Sequence, residues 1–244
     1  MHTLLLVTSH CKKARNYQET HHYLVKRMAF EQAQATIASM LHGINRYNPE
    51  NLTMLEQYVE IQVRENQYDV EANLAILKLY QLNPLHFKVQ LAALILLKAM
   101  TNLPHTDYLL CKCLIDNDIQ QEEPLQSINY FASLLEMCQF KKFWAEYDER
   151  PDVFQGVAGF QNAIRKFICH VINSTYQTIE RQQLLELLGL TDDTELKRWM
   201  ASCDWKELEG DQVYICNQEE SVKTKNITEK IGFDNVATVM KISQ

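Results

Sequence analysis

The chain has 244 residues, of which 46 % are apolar, enough to bury a sizeable core in one large domain or two modest ones. Only 6 glycines and 5 prolines favour helices over a turn-rich β fold. The 31 Asp/Glu outnumber the 24 Lys/Arg, and a net charge of −7 argues against tight, unaided binding to a phosphate backbone. Seven cysteines at irregular spacing build no disulfide framework. With no secretory signal, they read as reduced thiols of the cytosol or nucleus. The longest apolar run, Leu91 to Met100, is interrupted by Lys98 and is half the length of a spanning helix, which needs about 20 residues. The chain is therefore expected to be soluble, and its sequons at Asn51, Asn173 and Asn226 to carry no glycan.

Residues 1–27 differ from the remainder of the chain. They carry five Lys/Arg and one Glu, a balance of +4, against −11 for the other residues, and they hold four of the eight histidines. Without sustained periodicity they read as a disordered extension, with a basic targeting peptide as the alternative. From Met28 to about Tyr147 the pattern is helix after helix. Phe30, Ile37, Met40, Leu41 and Ile44 form the apolar face of the first. Asn48-Pro49 reads as a start signal, and the second helix turns Leu52, Leu55, Val59 and Val63 inward. The third begins near Val70 with Leu74, Leu77 and Tyr80 in the core. Asn83-Pro84 repeats the start signal for a fourth, through Ala92 to Met100, apolar on most sides and so expected to be central. The prolines fall 35, 20, 20 and 27 residues apart, which is no fixed period but suits antiparallel helix pairs in an irregular solenoid. After Gly159, Phe160, Ile164, Phe167, Ile168, Val171 and Ile172 mark a long amphipathic helix that couples this part to the next.

Arg181 to Gln218 reads as helix, turn, helix, hairpin. Leu184, Leu185, Leu187 and Leu188 make a short helix stopped by Gly189. Asp192 with Glu195 is a capping-box variant opening the next, whose face carries Leu196, Trp199, Met200 and Cys203. Trp205–Leu208 and Gln212–Cys216 then alternate across Gly210-Asp211. Two helices followed by a two-stranded wing define a winged helix. Between Thr191 and Glu220, three cations (Lys197, Arg198, Lys206) face nine carboxylates, a balance of −6. Such a surface should repel DNA, so no sequence-specific DNA binding is expected, and a protein-facing winged helix stacked edge to edge with another is favoured. Beyond a polar bridge, Ile227 and Ile231, then Val236, Val239 and Met240, form two short amphipathic pieces. These need a surface to pack on and are candidate partner-binding residues. Lys223, Lys225 and Lys230 are candidate RNA contacts within an assembly, with solvated lysines the plainer reading.

No chemistry-bearing motif emerges: no Gly-rich phosphate loop, no HExxH, no GxSxG. Cys111, Cys113 and His105 lack metal-ligand spacing and read as core cysteines and a nearby histidine. Cys169-His170 suggests a nucleophile and base, but sequence neighbours diverge by about 100° on a helix, so packing is the favoured reading. Phe140, Phe143, Trp144 and Tyr147 form a stripe at helical spacing, read as core rather than a base-stacking platform. No catalytic residue, metal or cofactor is expected.

A helical repeat running into a winged helix resembles the PCI module shared by the proteasome lid, the signalosome and a translation initiation factor. The segments Arg46–Leu52, Tyr68–Gln81, Ile95–Asp116, Phe167–Val171, Ile215–Ser221 and Lys225–Asp234 are similar to the k-subunit family of eukaryotic translation initiation factor 3. The resemblance spans about Met28 to Gln244 and excludes residues 1–27. It implies a mainly α fold: a HEAT-like repeat over 28–158, a winged helix over 159–218 (68–230 together PCI-like) and a tail over 219–244. It also implies a non-catalytic, cytoplasmic scaffold subunit, a nuclear pool being compatible with it. That subunit pairs most directly with subunit l and, through the whole factor, with the small ribosomal subunit, initiator tRNA and mRNA; no membrane is involved. The alternatives are a winged-helix nucleic-acid regulator, a PCI subunit of a proteasome-lid or signalosome-type complex, and a cysteine-dependent enzyme using Cys169 and His170.

Overall fold

Local signals in the chain start and stop a succession of short helices that packing then completes. The structure, a computed structural model, describes residues 30–217. Helix α1 covers residues 30–40 and buries Phe30 and Ile37. Gly43, in the left-handed conformation (φ 63°), opens a 3-10 turn, Gly43–Tyr47. Ile44 therefore falls outside α1 and is 86 % exposed, which corrects its assignment to the helix's apolar face. Asn48 behaves as its type predicts: its side chain accepts the Glu50 N–H and caps the turn Pro49–Asn51, which leads into α2, Leu52–Arg64. All four residues expected to face inward from α2 are buried.

Helix α3, Val70–Leu82, starts at Asp69, whose carboxylate accepts the Ala72 N–H. Asn83-Pro84 does not repeat the role of Asn48-Pro49. The Asn83 amide donates to the Leu79 carbonyl and so closes α3, while Pro84–His86 forms a separate turn. Helix α4, Val89–Met100, begins only after Lys88. It buries nine residues and packs against α2, α3, α5 (Asp107–Cys113) and α7 (Leu125–Glu136), which is the central position its composition demands. The short α6, Asn117–Gln120, connects the last two, and α8, Phe140–Glu149, packs on α7.

Buried polar groups in the first helices are paired, as burial without water requires. Gln62 and Asn73, both buried, exchange side-chain hydrogen bonds (3.0 and 3.3 Å) between α2 and α3. Glu56, also buried, accepts from Tyr80 Oη (2.7 Å) and Lys88 Nζ (2.6 Å). Lys98 on α4 is 2 % exposed and donates to Asn66 Oδ1 (3.0 Å). Burial without a facing carboxylate lowers its pKa to about 8.

Helix α9, Phe160–Thr175, starts after Gly159 and buries Phe160, Ile164, Phe167, Ile168, Cys169 and Ile172. Then come β1 (Thr178–Glu180), α10 (Arg181–Leu188), α11 (Asp193–Cys203), β2 (Lys206–Leu208) and β3 (Gln212–Tyr214). Gly189 terminates α10 with φ 59°, and Asp192 caps α11 by accepting the Thr194 amide and hydroxyl. The winged helix is thus present, with one addition. The hairpin is a three-stranded antiparallel sheet in the order β1-β3-β2, with Ile179 opposite Val213 and Glu207 opposite Val213 on its other side. Ile179 and Val213 are buried, whereas β2 is exposed throughout. The fold is mainly α, with eleven α-helices and one small sheet among the described residues.

Candidate interaction surfaces

The winged helix is joined to the helical part through the C-terminus of α10. The last carbonyls of a helix have no partner within it. Here Trp144 Nε1 on α8 donates to the Leu187 carbonyl (2.9 Å), and Arg165 on α9 donates to those of Leu188 (3.0 Å) and Gly189 (3.3 Å). The Arg165 guanidinium lies over the Trp144 ring at 5.0 Å, and cations favour the negative end of the helix dipole. Lys141 Nζ meets Glu186 at 2.5 Å on the rim. Lower on α9, Trp205 Nε1 donates to Asn173 Oδ1 (2.6 Å), pinning the start of the wing. The aromatic stripe of α8 is therefore core and junction together. Phe143 is fully buried, with its ring edge-on to Phe131 and to Trp144.

Two of the thiols, Cys111 and Cys169, are buried. Cys169 is buried, and hydrogen bonding to Cys203, together with burial, holds its thiol far above the usual range. His170, the next residue, is exposed. A raised thiol and a diverging imidazole are the opposite of what a nucleophile needs. Burial pushes the Cys111 thiol up to about 12, while Cys113 is exposed, which corrects its reading as a core cysteine: two positions along a helix turn the side chain to the other side. No cluster of His, Cys, Asp or Glu among the described residues is arranged to hold a metal ion. No helix among them is long and apolar enough to cross a membrane.

What the described surface offers is shape. The turns Gly43–Tyr47 and Pro84–His86 both pack on α3, and Ile44 (86 %), Leu82 (54 %) and Leu85 (99 %) are left open to solvent. Leu109 and Leu110 on α5 are half exposed. Periodicity points Ile44 inward and is silent on Leu85; the signals that separate them from the core are Gly43 and Pro84, which end the helical phase. β1 and β2 each pair only with β3, so both outer edges of the small sheet lack a strand partner among the described residues. The candidate partner-binding residues Ile227, Ile231, Val236, Val239 and Met240, and the candidate RNA contacts Lys223, Lys225 and Lys230, lie outside the described residues.

The profile of the CSN8/PSMD8/EIF3K family matches residues 86–226. The chain belongs to this family. Its similarity to individual members extends further. It is 54 % identical over 215 residues to eukaryotic translation initiation factor 3 subunit K of Homo sapiens, covering 88 % of this chain and 99 % of the human one. The subunit K of Mus musculus is 55 % identical with the same coverage, and that of Bombyx mori 48 % over 212 residues, covering 87 % and 97 %. These relatives of the CSN8/PSMD8/EIF3K chain are translation initiation factor subunits by name, and a PCI-like helical fold with a winged helix agrees with that membership.

Proposed function

We propose that this chain is a non-catalytic scaffold subunit of eukaryotic translation initiation factor 3. In this role it supports preinitiation complex assembly on the small ribosomal subunit and mRNA recruitment, acting in the cytoplasm. The observation that carries the reading is identity above 50 % over nearly the full length of vertebrate proteins bearing the subunit K name. The surface chemistry supports it: exposed leucines and an isoleucine on the turns beside α3, and uncovered sheet edges. Its direct partner in this reading is subunit l, with the small ribosomal subunit contacted through the complex. The HEAT-like portion (28–158), the winged helix (159–218) and the tail (219–244) divide the contacts between them, with Ile227, Ile231, Val236, Val239 and Met240 facing a partner.

Affinity capture of the tagged full chain from cytosol tests this. Other factor 3 subunits should co-purify in fixed stoichiometry and co-sediment with 40S particles. Recovery of a monomer alone, or of proteasome-lid or signalosome subunits instead, would reject the assignment.

A further inference from the structure

We propose that the groove between α9 and α11 binds a short acidic peptide segment of a partner protein, one that places a carboxylate beside an apolar side chain. The groove encloses about 480 Å³, room for two or three side chains. Its α11 wall is one helical face, Glu195, Arg198, Trp199 and Ser202, at i, i+3, i+4 and i+7. Its α9 wall contributes Arg165 and Lys166. Three cations thus meet one carboxylate in a chain whose net charge is −7 and whose winged-helix stretch from 191 to 220 stands at −6. The sequence scatters these cations 33 positions apart, so their convergence exists only in the fold.

Convergent positive charge is unfavourable unless something neutralises it, and within the described chain the neutralisation is partial. Glu195 lines the groove, and Asp192 at the start of α11 feels the Arg198 charge. Neither closes an ion pair with Arg198 or Lys166, and Arg165 spends its hydrogen bonds on the neutral carbonyls of Leu188 and Gly189. Arg181, on the neighbouring surface, shows the contrasting case: it is paired with both Asp193 and Glu207. Arg165 is also held still by the Trp144 ring, so one cation of the groove is pre-positioned. The exposed Arg198 guanidinium is free to take a carboxylate in two parallel hydrogen bonds. Trp199, half-buried, supplies an apolar wall next to it.

A nucleic acid fits the same groove poorly. Glu195 stands within the groove itself, where it would oppose a phosphate, and the stretch around α11 is acidic overall. A peptide delivers its charge at one point and can present an amide or hydroxyl to Glu195. Electrostatic complementarity of this local kind sets register and specificity between subunits. The groove is separate from the exposed turns beside α3, and its charge is the same whichever assembly contains the chain.

The test uses the full chain and a set of fluorescein-labelled octapeptides, each carrying two aspartates or glutamates and one leucine, phenylalanine or tryptophan. Amide-for-acid versions and a single-stranded RNA octamer serve as comparisons. Anisotropy should show saturable binding of acidic members, loss with the amide versions, and at least a tenfold weakening in the double variant Lys166→Glu, Arg198→Glu. Neither side chain is buried, and an unchanged thermal midpoint would show the variant folded. In ¹⁵N spectra the Trp199 indole resonance should move, while those of Trp144 and Trp205, bonded within the fold, should stay. No saturable binding below about 1 mM by any acidic peptide would overturn the proposal. So would undiminished binding by the double variant, or RNA binding that is tighter and lost in the same variant.

Discussion

Replacing Gly189 with alanine tests whether the winged helix is anchored where the hydrogen bonds indicate. Two costs combine at this position. The backbone sits at φ 59°, and a residue with a Cβ pays about 1–2 kcal/mol there. In addition, a Cβ at Gly189 would lie 2.5 Å from both Cδ2 and Cγ of the Trp144 indole, well inside the 3.0 Å that real side chains keep. The ring must shift, and its shift strains the Nε1 bond to Leu187 and the contact with Arg165, together worth roughly 1–2 kcal/mol. The expected loss is about 2–4 kcal/mol. Gly210 provides the reference. Its φ is 81°, but nothing lies within 4 Å of an added Cβ, so Gly210→Ala should cost the backbone penalty alone, about 1–2 kcal/mol.

Thermal denaturation of the full chain followed by circular dichroism separates the two. For a domain of this size 1 kcal/mol moves Tm by about 2–4 °C, so Gly189→Ala should fall by roughly 4–16 °C and Gly210→Ala by about half as much. Gly189→Asn is the discriminating variant. Asparagine tolerates the left-handed region yet keeps the collision, so it should remain well below wild type. If Gly189→Ala and Gly210→Ala lose the same amount, or Gly189→Asn recovers fully, the collision with Trp144 is not a real constraint and the junction is looser than described.

Three further outcomes concern charged groups in the core and on its rim. Glu56→Ala leaves the Tyr80 hydroxyl without its acceptor in the core and should cost about 2–4 kcal/mol in urea unfolding, whereas Tyr80→Phe, which leaves Glu56 still bound by Lys88, should cost about 1 kcal/mol. Lys98 has a folded pKa of about 8, below its unfolded value of 10.5, so between these limits the unfolded chain binds more protons and stability from this group rises with pH. Lys98→Met should be neutral or more stable at pH 7, and its advantage over wild type should shrink between about pH 8 and 10; a constant difference would show that Lys98 is not desolvated. Lys141→Ala, which removes a rim ion pair whose members are 58 % and 43 % exposed, should change the urea midpoint little.

The difference between what can and cannot be read from the chain tracks the range of the interactions involved. The cap at Asn48, the stop at Gly189 and the hairpin across Gly210-Asp211 depend on neighbours within a few residues, the central place of α4 follows from its own apolar composition, and each is present in the structure. Strand β1 escapes sequence reading because Thr178–Glu180 has only three residues and becomes a strand through pairing with Tyr214, 36 positions away. Asn83-Pro84 misleads because the same dipeptide can close one helix or open the next. The choice lies in the Leu79 carbonyl, which needs a donor.

The exposed surfaces are the least legible part, and the reason is physical. A core residue announces itself by periodicity, because it must repeat with the helix. A contact residue need only be present once, at a place that the tertiary fold brings outward. Leu85 comes directly after a proline and is almost wholly exposed; Arg198 belongs to a stretch whose charge looks acidic when summed along the chain. That sum argues for repulsion of DNA but averages away a local reversal. Arg165 and Lys166 arrive from α9 and turn one side of α11 cationic while the wing side stays acidic. A single winged helix can therefore present two faces of opposite charge. The Trp144–Leu187 hydrogen bond ties this domain to the preceding helices. Two faces of opposite charge on one domain can be contacted by two chemically different surfaces at once.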